Sequence, residues 1–213
     1  MSNNKLKQAS LAVGAVALTA ETAGAAKTKA VDELIVKLKD KDDKVRAEAL
    51  LSAGGIGAPA VKSLAKVMAD KDVEVSRAGK RALWKIVRHT GRPKARDEKK
   101  AVITELVGLL DDDQPTSVRR EVLWMLSEIC ERTSIKAIAA LLSNKELRED
   151  ARMVLQRIPG RRSLAALKDG LENAPEDFKL NIAQSLRKRG VEVRGLACVK
   201  LVPSKKTNVK PLK

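Results

Sequence analysis

Two stretches decide the fold: KDKDDKVRAEALLSAGGIG at residues 39–57 and ADKDVEVSRAGKRALWKIV at residues 69–87. Aligning Asp40-Lys41-Asp42 with Asp70-Lys71-Asp72 sets a register of 30 residues, in which Val45 falls on Val75, Ala49 on Gly79, Ser52 on Ala82, Ala53 on Leu83 and Ile56 on Ile86. The same pattern returns from Val118 through Val122, Met125, Leu126 and Ile129. It returns again from Leu147 through Ala151, Val154, Leu155 and Ile158, and from Phe178 through Ile182, Ser185 and Leu186. Five copies result, at spacings of 30, 43, 29 and 31 residues, and a repeat of this length is the first thing a fold must explain.

Counting the first residue of each copy as position 1, the apolar members fall at positions 1, 5, 8, 9 and 12. Each lies three or four residues from another, which is one face of an α-helix. The small members Ala49, Gly79 and Ala151 predict close helix packing at position 5. Another apolar-periodic segment precedes each copy: Val31 to Leu38, Val61 to Met68, Val102 to Leu110, Ile135 to Leu142 and Leu164 to Leu171. The unit is therefore a helix pair. Asp42 and Asp72 stand where N-caps belong, Pro59 and Pro115 where a first-turn proline is tolerated, and Pro159-Gly160 where the fourth unit ends. One pair buries only one side of itself, so the pairs must stack, and the prediction is an all-α, right-handed α-solenoid of about five pairs.

Val45-Arg46, Val118-Arg119 and Leu147-Arg148, followed by small and aliphatic positions that end in Gly54-Gly55-Ile56-Gly57 or Ser127-Glu128-Ile129-Cys130, resemble HEAT-like repeats. The length near 30 is similar to the short bacterial kind also found in phycobilin lyases, and the resemblance spans about residues 30–190. It implies the solenoid fold. It leaves function open, since such arrays serve as scaffolds, adaptors, lyase subunits and DNA-repair enzymes. The fifth unit departs most, with Arg189 where the others have Ile, as a polar terminal repeat would.

The chain has 213 residues, 44% hydrophobic and 33% charged, which suffices for a buried core. That core must be aliphatic, because Phe178, Trp84 and Trp124 are the only aromatic residues, and a base-stacking platform is thereby disfavoured. A single histidine, His89, and two cysteines, Cys130 and Cys198, exclude a histidine-built or four-cysteine metal site. The net charge is +16, of which residues 88–100 carry +4 and residues 187–213 carry +8. A near-neutral body with a basic loop and a basic tail differs from a uniformly basic groove.

Domain organisation follows: 1–26 as a signal peptide or flexible amino terminus, 27–190 as the solenoid with a basic insertion at 88–100, and 191–213 as an extended segment and basic tail. Lys5 and Lys7, the apolar run Ala9 to Ala20 and Ala23-Gly24-Ala25 have a secretory layout and favour export to the periplasm or beyond. Gly14 and Glu21 fit that reading less well, and an Ala-rich first helix in an unexported protein is the alternative. Export would allow Cys130 and Cys198 to pair. No other stretch is long and apolar enough for a membrane span.

The basic series Arg46, Arg119, Arg148 and Lys179, broken by Ser76, recurs at one repeat position and reads as a structural ladder, with Asp42 and Asp113 as nearby acidic partners. Trp84 and Trp124 occupy different repeat positions, 10 and 7, and are partner-binding anchors or amphipathic packing residues. Arg88, Arg92, Lys94, Arg96, Lys99 and Lys100 of the insertion are further partner contacts, or a solvated charged loop. Arg187, Lys188, Arg189, Lys205, Lys206 and Lys210 are polyanion contacts, or a solubility feature. Asp111-Asp112-Asp113 reads as helix capping rather than cation binding. No glycine-rich phosphate cradle, nucleophile–base pair, cofactor motif or catalytic set is present. The sequence therefore points to a non-enzymatic protein-binding scaffold that uses its inner helix row. A sequence-nonspecific nucleic-acid or polyanion binder is the alternative, and a lyase-type subunit a remoter one.

Overall fold

A computed structural model of the chain describes residues 24–129 and 131–198. Most of the proposed signal segment, Cys130, and Lys205, Lys206 and Lys210 of the tail lie outside the described residues. Residues 24–26, at the proposed cleavage point, belong to the first helix.

Among the described residues there are ten α-helices and no strand. They are α1 over residues 24–38, α2 Asp43–Ile56, α3 Val61–Met68, α4 Val73–His89, α5 Arg96–Gly108, α6 Thr116–Ile129, α7 Ile135–Ala140, α8 Arg148–Arg157, α9 Arg161–Asn173 and α10 Glu176–Lys188. Short 3₁₀ turns, Ala58–Ala60 and Leu141–Ser143, lead into α3 and out of α7. The five pairs are those predicted. Second helices pack on second helices, α2 on α4, α4 on α6, α6 on α8 and α8 on α10, while α3 meets α5 and α7 meets α9. The fold is an α-solenoid.

Caps and core follow from the repeat. Asp42 accepts the amide of Lys44, and Asp72 accepts those of Glu74 and Val75. Positions 5, 8, 9 and 12 of α4, occupied by Gly79, Ala82, Leu83 and Ile86, are buried, as are the corresponding Val122, Met125, Leu126 and Ile129 of the third unit and Ala151, Val154, Leu155 and Ile158 of the fourth. Position 5 is the close approach: a Cβ on Gly79 would stand 2.8 Å from Val67 Cγ1 and 3.0 Å from the Met68 amide nitrogen. In α2, at the end of the stack, Ser52 is exposed at position 8 and Leu51 is 71% exposed.

The insertion corrects the sequence reading. Residues 88–100 do not form a loop: α4 runs through His89, α5 starts at Arg96, and only 90–95 lie between them. Gly91 and Pro93 break the helix as expected, but Asp97 and Glu98 then favour a new one in its first turn. The buried Thr90 and Ala95 pin the turn at both ends. The described part of the carboxyl end is irregular. Residues 191–198 contain no strand, and Val191 and Val193 pack against the core. Gly190, at φ 78°, closes α10 with its own amide on the Arg187 carbonyl at 2.9 Å and the Val191 amide on the Leu186 carbonyl at 3.0 Å, a Schellman arrangement.

Candidate interaction surface

The stacked second helices are joined across their exposed edges by carboxylates at repeat position 4. Glu121 on α6 accepts the Trp84 indole N–H from α4 on Oε1 at 2.6 Å and pairs with Lys80 of α4 through Oε2 at 2.6 Å. One repeat on, Asp150 of α8 accepts the Trp124 indole of α6 on Oδ1 at 3.2 Å and Arg120 Nε on Oδ2 at 2.9 Å. In the next repeat Asn181 of α10, again at position 4, donates to Glu149 of α8, and Arg152 of α8 reaches Ser185 Oγ at 2.5 Å. The three steps from α4 to α10 thus use the same position, as a carboxylate twice and as an amide once, whereas α4 has Ala78 there and the α2–α4 step lacks the link.

Both tryptophans are half-buried. The guanidinium of Arg88 lies 5.3 Å from the centre of the Trp84 ring, and that of Arg157 5.6 Å from the Trp124 ring, distances at which cation–π attraction operates. Trp84 and Trp124 differ in repeat position, yet their acceptors are equivalent. Sequence reasoning missed Glu121, Asp150 and Asn181, although a polar residue at position 4 in three consecutive repeats was a readable signal.

Of the basic ladder residues, Arg46 and Arg119 turn back to the preceding helix and turn, with partners shifted from those expected. Arg119 is buried, donates to the Leu110 carbonyl at 2.9 Å and pairs with Asp112, not Asp113, at 2.7 Å. Arg46 donates to the carbonyls of Asp40 and Lys41 and pairs with Asp43, because Asp42 is engaged as the α2 cap. Ser76 keeps the contact with a shorter arm, its Oγ donating to the Met68 carbonyl at 2.7 Å. In these three units the residue ties a second helix back to the carbonyl end of the first or to the turn that follows it. Arg148 instead reaches forward to Asp177 at 2.5 Å and lies 4.7 Å over the Phe178 ring, and Lys179 pairs with Glu176 in its own first turn. The hydrogen bond from Arg148 holds the Asp177 carboxyl below its ordinary value, and Asp177 raises Arg148 in return.

Of the remaining basic candidates, Arg92 donates to the His89 carbonyl and pairs with Glu98, whose carboxyl its hydrogen bond holds below the ordinary value. Lys94, Arg96, Lys100 and Lys188 are exposed and Lys99 half-buried. Arg187 and Arg189 are not free polyanion contacts: Arg187 donates to the carbonyls of Val193, Leu196 and Ala197. Arg189 donates to those of Leu155, Ile158 and Gly160. His89 is half-buried at the end of α4, against the position a Cβ on Gly54 would take, 3.1 Å away. Among the described residues, no three His, Cys, Asp or Glu side chains converge to hold a metal ion, and no helix is long and apolar enough to cross a membrane.

A stack of helix pairs whose second helices form one continuous row is an α-solenoid with an extended face. Residues 103–187 match the family of HEAT repeats. Two engineered proteins of known crystal structure are similar over 73% of this chain and 77% and 78% of their own, at 21% and 20% identity, each with a TM-score of 0.39. No curated protein matches.

Proposed function

We propose that the chain is a non-enzymatic scaffold that binds another protein along its row of second helices. The observation that carries this reading is the row itself, joined by the position-4 links from α4 to α10 and by the packing of α2 on α4, and presenting apolar side chains outward. Leu51 of α2 and Leu180 of α10 are 71% and 37% exposed, with half-buried Trp124 and Met153 between them. Rigid repeats with apolar anchors in a polar rim suit a protein partner. The engagement of Arg187 and Arg189 by backbone carbonyls, and of exposed Arg92 by Glu98, weakens the polyanion alternative, which retains Lys94, Arg96, Lys99, Lys100, Lys188 and the tail lysines.

The test is a pull-down from the native host with nuclease present, at low and high salt. It uses the full chain, a version ending at Cys198, which keeps every carbonyl that Arg187 grips, and Leu51→Glu/Leu180→Glu. Recovery of one partner by the first two at both salts, and its loss from the double variant, is the expected result. Recovery that vanishes with salt, nuclease or the tail would transfer function to the basic segments.

A further inference from the structure

Among the second helices, α4 stands apart in what it shows to solvent. Arg77, Arg81, Trp84, Lys85 and Arg88 recur every three or four residues along one face with Lys80 beside them, and Glu74 is the helix's one acidic residue. By contrast α6 sets Glu121 and Glu128 against Arg119 and Arg120, and α2 sets Asp43 and Glu48 against Lys44 and Arg46. Like charges a turn apart repel, so the α4 arrangement works against the helix that carries it. Arg77 answers Glu74 at 2.8 Å and Lys80 answers Glu121 at 2.6 Å, while Arg81 and Lys85 have no ion-pair partner among the described residues.

A groove of about 370 Å³ runs along this face, floored by Trp84 and by Leu50 of α2 and rimmed by Arg77, Lys80, Arg81, Lys85 and Arg88. Exposed Leu51 occupies on α2 the repeat position that Arg81 holds on α4, which extends apolar surface beyond the groove. We propose that the groove binds an acidic amphipathic segment of a partner protein. An apolar side chain of that segment lies over Leu50 and Trp84, and its carboxylates pair with Arg81, Lys85 and Arg88. The inference rests on the protein-binding reading and gives the partner its chemistry. A nucleic-acid backbone fits less well: phosphates gain nothing from the apolar floor of Leu50 and Trp84, and the ring on which a base would stack already carries Arg88 against it.

Three labelled probes of equal length test this on the full chain: a peptide of about 16 residues with glutamates along one helical face and leucine and phenylalanine on the other, an oligo-glutamate, and single-stranded DNA. The amphipathic peptide should bind roughly tenfold more tightly than either control. Arg81→Glu/Lys85→Glu, at two exposed positions, should weaken it at least about tenfold. In a Trp124→Phe background the Trp84 emission should shift to shorter wavelength on binding. Equal affinity for oligo-glutamate, tighter binding of DNA, an unmoved Trp84 emission or an indifferent double variant would each overturn the proposal. Failure of the peptide alongside a partner still held at high salt after nuclease defeats this inference and leaves the scaffold reading standing. Tight DNA binding with nuclease-sensitive recovery defeats both.

Discussion

Arg119 shows what the recurring basic residue does. Its buried guanidinium satisfies the Leu110 carbonyl and meets Asp112, so truncation leaves a polar group at the end of α5 without its donor. Arg119→Ala should lower stability by about 1–3 kcal/mol, read as a lower urea midpoint with an unchanged slope, and should leave peptide binding by the folded fraction intact. Gly79→Ala tests the close approach of α4 to α3. Alanine gains about 1 kcal/mol of helix propensity, but its Cβ would stand 2.8 Å from a buried Val67 methyl. Overpacking of about 1–3 kcal/mol outweighs the gain, and the melting temperature should fall. Arg148 and Asp177 give a pH signature. The Asp177 value is lowered, so its contribution is in place above the ordinary 3.8 and fades as the pH falls below it through the folded value. In an acid titration followed by circular dichroism, Asp177→Asn should flatten the loss of stability below that pH, and an unchanged acid limb would show the pair to be inert.

Elements were more legible in the sequence than their edges. All five pairs could be read because Val118, Val122, Met125, Leu126 and Ile129 and their counterparts repeat with the helical period, and burial follows that period directly. The insertion was misread because a net charge summed over 88–100 hides where helices stop: Arg88 ends up on α4 and Arg96, Lys99 and Lys100 on α5. The same cut at residue 88 separated Arg88 from Arg77, Lys80, Arg81 and Lys85, and so concealed the basic face of α4. The partners of Trp84 and Trp124 were hidden for another reason: sequence spacing gives the face a side chain occupies but not which carboxylate on the next helix meets it. Where local rules were strong, as at the end of α10, an element-scale prediction is sharp. Gly190 holds φ 78° in a C-terminal cap, and a left-handed alanine there costs about 1–2 kcal/mol. Gly190→Ala should therefore speed hydrogen exchange at the end of α10 and in residues 191–198 before it affects α6.

The whole molecule is close to one-dimensional, since each pair touches chiefly its neighbours, and stability in such an array is a sum over units and the interfaces between them. Arg189 concentrates one interface in one side chain. From the turn after α10 its guanidinium reaches the carbonyls of Leu155 at 3.0 Å, Ile158 at 2.8 Å and Gly160 at 3.0 Å, together with Ser163 Oγ at 3.2 Å. It thereby closes the carboxyl end of α8, fixes the turn into α9 and ties both to the last helix. The position is apolar in the other units, so the substitution that made the fifth repeat look aberrant is what joins it to the fourth. Arg189→Met keeps the apolar stem but removes the donors, and hydrogen bonds from a charged group contribute about 1.5–3 kcal/mol together with the need to satisfy the carbonyls they leave. The loss should stay local. Exchange protection should fall in α9, α10 and the end of α8 while α2 to α6 keep theirs, and thermal unfolding should split into an early carboxyl-terminal step and a later one. A uniform fall in protection from α2 to α10 would instead mean that the five pairs unfold as a single cooperative block, with the interfaces between pairs stronger than the pairs themselves.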